Sequence, residues 1–249
     1  MTAIPFTRLT LVEWRKQLDT RAGLWLLVSI ALITAAVLAV MAFIGDGATS
    51  FEALYFGTST PMALLLPIVG ILAATSEWSQ RTGLITFTLE PRRTRVGLAK
   101  LVAALGSGIA FFVVAVVLAA AFHLAVVTFT DATTAWAIPT GALTGGLLLT
   151  VLYMAQGVAF GALIQNTAGA IVAFFALPTA FTLVGSLVGA MRDAMPWIDL
   201  TTAADPLLFD AGALTGEQWA QVATSSTIWI LVPLVLGLIR VARSEIKSA

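Results

Sequence analysis

The chain has 249 residues, of which 59% are hydrophobic and only 10% are charged. Because soluble domains are about one quarter charged, this composition excludes an ordinary soluble protein and predicts that most of the chain lies in a lipid bilayer. The 13 basic and 13 acidic residues balance, and the absence of cysteine excludes disulfides, zinc–thiolate sites and thiol catalysis.

Residues 5–21 predict an amphipathic helix at the membrane surface. Leu11, Trp14 and Leu18 fall on one face at helical spacing, and charged residues fall on another face. A tryptophan beside basic residues is typical of the headgroup region. The same residues also suit an ordinary charged flank of the first span, and both interpretations place them at the interface.

Six apolar stretches are each long enough to cross the bilayer, whose hydrocarbon core of about 30 Å needs about 20 helical residues. The predicted fold is therefore an all-α membrane protein, a single transmembrane domain over residues 1–249 with six spanning helices. The predicted spans cover approximately residues 23–44, 55–75, 101–128, 138–164, 168–190 and 222–239.

The segment from Ser76 to Lys100 separates spans 2 and 3 and is rich in arginine. Ser76 precedes Glu77, which is a helix-start signal. The following stretch to Leu89 is amphipathic, and Pro91 is predicted to end its helix because proline restricts the preceding residue. A basic amphipathic segment between two spans lies at a membrane surface. It fits either a basic loop that sets topology or a docking element for a soluble partner.

This segment resembles the cytoplasmic segment after the second span in ABC-2-type ABC transporter permeases, although that family often has Gly-Thr where this chain has Thr82-Gly83. The residues that carry the resemblance are Glu77, Arg81, Thr82, Gly83, Thr88, Leu89, Pro91, Arg93, Arg95 and Lys100. In the family this segment is the coupling helix, which docks into an ATP-binding subunit. The resemblance therefore implies a coupling role for Glu77, Arg81, Thr82, Gly83, Leu84, Ile85, Leu89, Pro91, Arg93 and Arg95.

The resemblance also implies partners and a substrate path. A permease of this family pairs with a second copy or a homologue and recruits two ATP-binding subunits, which hold the ATP and magnesium, so no cofactor is expected in this chain. The N-terminal helix would be the connecting or elbow helix, and in the family a re-entrant or surface helix often lies between spans 5 and 6. Spans 2 and 5 line the path in the family, which makes candidates of Pro61, Pro67, Phe174, Phe175, Pro178 and Phe181. The phenylalanines equally suit contact with lipid.

The distribution of basic residues predicts the orientation. With six spans both termini lie on one side, and that side carries twelve of the thirteen basic residues, leaving only Arg192 opposite. Because loops rich in lysine and arginine stay inside, both termini are predicted in the cytoplasm, in a bacterial plasma membrane. The twelve residues are Arg8, Arg15, Lys16, Arg21, Arg81, Arg92, Arg93, Arg95, Lys100, Arg240, Arg243 and Lys247.

The opposite side is acidic, and its longest segment covers residues 191–222. Two apolar stretches in it, residues 195–198 and 206–209, are predicted to lie in the interface. The only histidine, His123, has no second ligand at metal-binding spacing, so polar packing near the interface is the better interpretation than metal binding.

Several kinds of chemistry have no motif here. The chain contains no P-loop pattern, no H-E-x-x-H and no G-x-S-x-G, so it is not expected to be an enzyme or to bind ATP itself. The predicted spans contain no acid, lysine or arginine, which argues against an ion-driven carrier, although unwound backbone can also bind sodium. No nucleic acid partner is expected.

The sequence therefore favours the permease subunit of an ATP-driven exporter that moves a drug-like, peptide or lipidic substrate. The alternative is a non-transporting membrane protein, such as an assembly factor or sensor, that docks a soluble partner on the same basic loop. A secondary carrier is a third, weaker interpretation. The substrate and the choice between homodimer and heterodimer are left open.

Overall fold

The computed structural model describes residues 4–44, 50–130, 136–137 and 140–244. Within those ranges the chain is helical and without strands, and six of its helical segments are long and apolar enough to cross a membrane. The predicted fold class, an all-α membrane protein with six spanning helices, is confirmed.

The helices are α1 (Phe6–Asp19), α2 (Arg21–Phe43), α3 (Phe51–Ser79), α4 (Gly83–Leu89), α5 (Arg93–Phe129), α6 (Thr140–Ile164), α7 (Thr167–Leu187), α8 (Met195–Ile198), α9 (Leu200–Ala204), α10 (Gly216–Ser226) and α11 (Val232–Arg243).

The spanning helices α3 and α5 are longer than their predicted spans, 55–75 and 101–128. The 37 residues of α5 make a helix of about 55 Å, against a hydrocarbon core of about 30 Å. Hydropathy detects only the apolar part of such a helix. Polar residues beyond the hydrocarbon core continue the same helical hydrogen bonds, so the helix extends past the predicted span.

The first and fifth predicted spans are closer to the observed helices, whereas the sixth, predicted over 222–239, begins six residues earlier and ends four residues later. Helix α2 matches the first predicted span within two residues, and α7 ends at Leu187 rather than at residue 190. Helices α10 and α11 join through a π-helical turn, Thr227–Leu231, into one span from Gly216 to Arg243. The start predicted for span 4 at residue 138 lies outside the described residues, as do Asp46, Asp131 and Lys247.

Helices α3, α6, α7 and α11 meet at one end of the bundle, which we call the basic end. The Arg240 guanidinium donates to the Leu163 carbonyl oxygen at 2.7 Å, and the hydroxyls of Thr75 and Thr167 lie 2.8 Å apart. The described basic residues, apart from Arg192, lie in α1, at the ends of helices here, or in the segment between α3 and α5. At the opposite end, the Tyr55 hydroxyl donates to the Ala142 carbonyl oxygen at 2.8 Å.

Helix α3 lies at the centre of the bundle, packed against α2, α5 and α6. Its two prolines, Pro61 and Pro67, are buried inside a continuous helix. Helix α6 approaches α3 closely through Gly157 and Gly161, since a Cβ on Gly157 would overlap the Pro67 carbonyl oxygen. Small residues in this arrangement allow close contact between spans.

We expect Gly157→Ala to lower the free energy of unfolding by about 1–3 kcal/mol, because the added methyl group has to displace the backbone of α3. Gly106→Ala in α5 is the matched control, since no atom outside its own helix lies within 4 Å of the new Cβ and alanine favours the helix. Denaturant titration of both variants in mild detergent measures the difference. Equal effects of the two substitutions would contradict the close α3–α6 contact.

The segment between α7 and α10 folds over the end of the bundle opposite the basic end. In its two apolar stretches Met195 and Leu207 are buried and Phe209 is 64% exposed, so their position in the interface stays a prediction. Leu200 and Leu207 are fully buried, and Gly145 of α6 lies directly under the Leu207 backbone. The Asp199 carboxylate caps α9 by accepting from the Thr202 backbone N–H at 2.9 Å. Leu200 and Leu207 pack in one apolar cluster with Leu149 and Phe160 of α6.

His123 is fully buried among aromatic rings near the outer end of α5. Its imidazole lies edge-on to the Trp136 ring, with centroids 4.5 Å apart, and 6.2 Å from the Phe51 ring. The predicted polar packing of this histidine is therefore wrong, because aromatic contacts surround it.

Candidate partner-docking site at the basic end

The N-terminal helix α1 is amphipathic as predicted, but it turns its polar side toward the bundle. Leu11, Trp14 and Leu18 are exposed, whereas Glu13 and Gln17 are buried against α5. This orientation suits a membrane surface, where the apolar face meets lipid and the polar side chains need partners inside the protein.

A cluster of four charged residues, which we call the four-charge cluster, joins α1, α3 and α5. Lys100 Nζ lies 2.8 Å from Glu13 Oε2 and 2.8 Å from Glu77 Oε2. Lys16 Nζ lies 2.6 Å from Glu13 Oε1 and 3.3 Å from Glu77 Oε1. The two carboxylates and two ammonium groups balance in charge, and every carboxylate oxygen faces a lysine.

Three members of the cluster are almost completely buried. The side chains of Glu13 and Glu77 are 2% exposed and that of Lys100 is 6% exposed, whereas Lys16 is 38% exposed. Removing such charges from water is costly unless each is paired. The predicted spans, 55–75 and 101–128, carry no charged residue, but α3 and α5 continue past them and hold Glu77 and Lys100 at the basic end.

The chain turns sharply after α3. Ser76 lies in the last turn of α3, so the helix start predicted there is wrong; its hydroxyl accepts from Lys100 Nζ at 3.0 Å instead of capping a new helix. Arg81 has a positive φ of 55°, and the Thr82 backbone N–H donates to the Glu77 carbonyl oxygen at 3.1 Å. This is the backbone pattern that commonly ends a helix.

Helix α4 follows that turn and presents apolar side chains outward. Leu84, Ile85 and Leu89 are 52%, 65% and 70% exposed, whereas Phe87 is buried beneath the helix. Phe87 packs in a small core with Leu9, Val96, Ala99 and Val241. The extended conformation of Glu90 before Pro91 ends α4, as predicted.

Two of the predicted coupling arginines turn toward the protein. Arg93 donates to the Ser244 carbonyl oxygen, and its guanidinium lies 5.1 Å above the centre of the Phe87 ring. Arg95 donates to Glu90 Oε2 and to the Ile4 carbonyl oxygen, both at 2.9 Å. These arginines therefore fix the α4 segment against both ends of the chain, and Arg81 and Pro91 are exposed.

A groove of about 620 Å³ separates α1 from α4. Val12 of α1 and Ile85 and Leu89 of α4 line its sides, and Glu13, Lys16 and Glu77 lie along its floor. The groove and the exposed side chains of α4 form one continuous surface, which we call the α1–α4 surface. An apolar rim over a charged floor can hold a helix or loop of a second protein.

The predicted path residues lie outside the α1–α4 surface and form two separate groups. Pro61 and Pro67 are buried in α3, while the Phe174 and Phe175 rings are 5.0 Å apart on α7. Also on α7, Pro178 is half-buried, and Phe181 is exposed and packs edge-on against Trp229. Their role in a substrate path stays a prediction.

Glu13, Lys16 and Phe87 were not predicted as members of this site, and Lys100 was predicted only as part of the segment that resembles the coupling helix. A signal for the first two was present, because Glu13, Lys16 and Gln17 share one side of α1, across the helix from Leu11. Phe87 lay inside the amphipathic stretch, but its direction depends on where α4 begins.

No protein-family model matches the chain, and no curated protein matches it.

Proposed function

We propose that the chain is the membrane-spanning subunit of an ATP-driven exporter, with the α1–α4 surface as the contact for a separate ATP-binding subunit. The main observation in support of the proposal is the arrangement of exposed and buried side chains on α4. This short helix exposes three large apolar side chains at the basic end, and it is anchored from below by Phe87 and the neighbouring helix ends. An exposed apolar patch on a rigid base is typical of a protein–protein contact.

The route for transmitting force also supports the proposal. Helix α4 connects α3 to α5, and the four-charge cluster joins the same two helices to α1. A subunit that pressed on α4 would therefore move three helices together, including the proline-containing α3. The chain itself carries no P-loop motif, so the energy has to come from another polypeptide.

The resemblance to ABC-2-type permeases sets the expected direction and assembly. In this proposal two copies of the chain, or one copy and a homologue, bind two ATP-binding subunits and move a drug-like, peptide or lipidic substrate out of the cell. The sequence and geometry favour no particular substrate within these classes.

The direct test is purification of the tagged chain from its native membrane in mild detergent, followed by mass spectrometry and an ATPase assay. We expect a P-loop ATPase to copurify in about equal amount and to hydrolyse ATP. A different soluble partner without ATPase activity would instead support the alternative of a non-transporting membrane protein. Efflux that survives ATP depletion but collapses with the proton gradient would support a secondary carrier.

The proposed orientation, with the basic end in the cytoplasm, is testable by cysteine labelling. The chain contains no cysteine, so single variants at exposed Thr88 in α4 and Glu217 in α10 give no background. We expect a membrane-impermeant maleimide to label Glu217→Cys in intact cells and Thr88→Cys only after permeabilisation. The reverse pattern would place the basic end outside.

A further inference from the structure

A second cavity, of about 290 Å³, lies on the bundle side of the four-charge cluster. Its mouth is beside the exposed Ser79 and Gln80, and its deep end reaches Val69 and Leu72 of α3. Eleven residues separate Val69 from Gln80, which is about 16 Å along a helix. The cavity therefore runs from the level of the headgroups into the apolar layer and is lined by polar groups at one end and apolar groups at the other.

Gln17 contributes an unpaired hydrogen-bond donor to the cavity wall. Its side chain is buried, and its Oε1 atom accepts from the Ser107 hydroxyl at 2.7 Å. Its Nε2 atom has no hydrogen-bond partner in the described part of the chain. A primary amide nitrogen carries two donors, and burying them without an acceptor is unfavourable. Gln17 lines the cavity, so an acceptor that entered it and reached this nitrogen after a small rotation of the amide would remove the penalty.

Lys16 adds a charged donor in the same wall. Its ammonium group uses two of its three N–H bonds on Glu13 and Glu77. The carboxylate oxygens of those residues already face lysines, so the third N–H bond of Lys16 is left for another acceptor. A group that only accepts hydrogen bonds, such as a phosphate, matches the unpaired N–H donors of Gln17 and Lys16.

We infer that this cavity binds the phosphate group of a phospholipid from the leaflet at the basic end. The phosphate oxygens would accept from Gln17 Nε2 and Lys16 Nζ, and the first carbons of the lipid would lie against Val69 and Leu72. The volume is close to the lower limit of small-molecule sites, about 300 Å³, so it holds a headgroup with the start of its chains while the rest stays in the bilayer. The inference does not rest on the proposed transport function.

The test is ligand titration of the purified full chain, followed by native mass spectrometry. The probes are dihexanoyl phosphatidylglycerol, dihexanoylglycerol and inorganic phosphate. Gln17→Glu keeps the acceptor for Ser107 but replaces the amide donors by a carboxylate oxygen, and Gln17→Met removes both. Gln218→Glu makes the same chemical change at the opposite end and is the matched control.

We expect the phosphatidylglycerol to bind at least about 10-fold more weakly to both Gln17 variants than to the native chain or the control, as loss of hydrogen bonds to a charged group implies. Dihexanoylglycerol should bind weakly to all of them. Inorganic phosphate binding as tightly as the lipid, with the same loss at Gln17, would support the phosphate site with a free anion as its ligand. Equal binding of the two lipids, or unchanged binding to folded Gln17 variants, would overturn the inference.

Discussion

Lys100→Met is expected to lower the free energy of unfolding by about 3–5 kcal/mol, the usual result of breaking a buried ion pair. The substitution keeps the length of the side chain but leaves the Glu13 and Glu77 carboxylates buried with only the half-exposed Lys16 nearby. It also removes donors from the Ala73 carbonyl and the Ser76 hydroxyl oxygens. Denaturant titration of the detergent-solubilised protein measures the loss.

Two further variants separate the charge effect from a packing effect. Lys16→Met changes the same residue type where the side chain is 38% exposed, and it should cost clearly less than Lys100→Met because water can replace the exposed ammonium group beside the two carboxylates. The triple change Glu13→Gln, Glu77→Gln and Lys100→Met removes the unpaired charges and should recover most of the stability. A Lys100→Met effect as small as that of Lys16→Met would show that the cluster does not hold α1, α3 and α5 together.

Leu89→Asp and Leu84→Asp are expected to reduce capture of the ATP-binding subunit by at least about 10-fold while the chain still folds and inserts. Both leucines are more than half exposed, so they contribute little to the bundle itself. In an interface a buried leucine is worth roughly 1.5–3 kcal/mol, which corresponds to about 10- to 150-fold in affinity. The measurement is the amount of ATPase recovered per tagged chain, together with substrate efflux.

Leu187→Asp is the matched control, because Leu187 is 75% exposed at the outer end of α7. It changes the same residue type to the same charge on the opposite side of the membrane, and it should leave capture unchanged. Unchanged efflux in Leu84→Asp and Leu89→Asp would remove the coupling role proposed for α4. Loss of capture in all three variants would point to a general defect in assembly.

The transport proposal and the lipid inference fail independently. The four-charge cluster separates the α1–α4 surface from the 290 Å³ cavity, and Glu13 and Lys16 line both. Leu89→Asp acts on the outer side of the cluster and leaves Gln17 in place, whereas the Gln17 variants leave α4 in place. Binding of phosphatidylglycerol by a chain that recruits no ATPase would therefore keep the inference and remove the transport proposal.

The spanning helices and the clustering of basic residues at one end followed from sequence alone. Apolar length decides a span because a backbone in lipid has to satisfy its own hydrogen bonds, and this holds whatever the neighbours are. The end of α4 at Pro91 was predictable for a similar reason, since the restriction that proline places on Glu90 is local.

The site at the basic end depended on tertiary structure. Glu13 and Lys100 are 87 positions apart and Gln17 and Ser107 are 90 apart, and no local pattern predicts such pairs. Ser76 has the residue type of a helix cap, but Lys100 and the continuing turn of α3 use its hydroxyl instead. The burial of polar Glu13 and Gln17 beside exposed Trp14 has the same origin. At the membrane surface the apolar face of a helix can meet lipid. The packing of α3 and α5 against α1 therefore decides which polar side chains of α1 are buried.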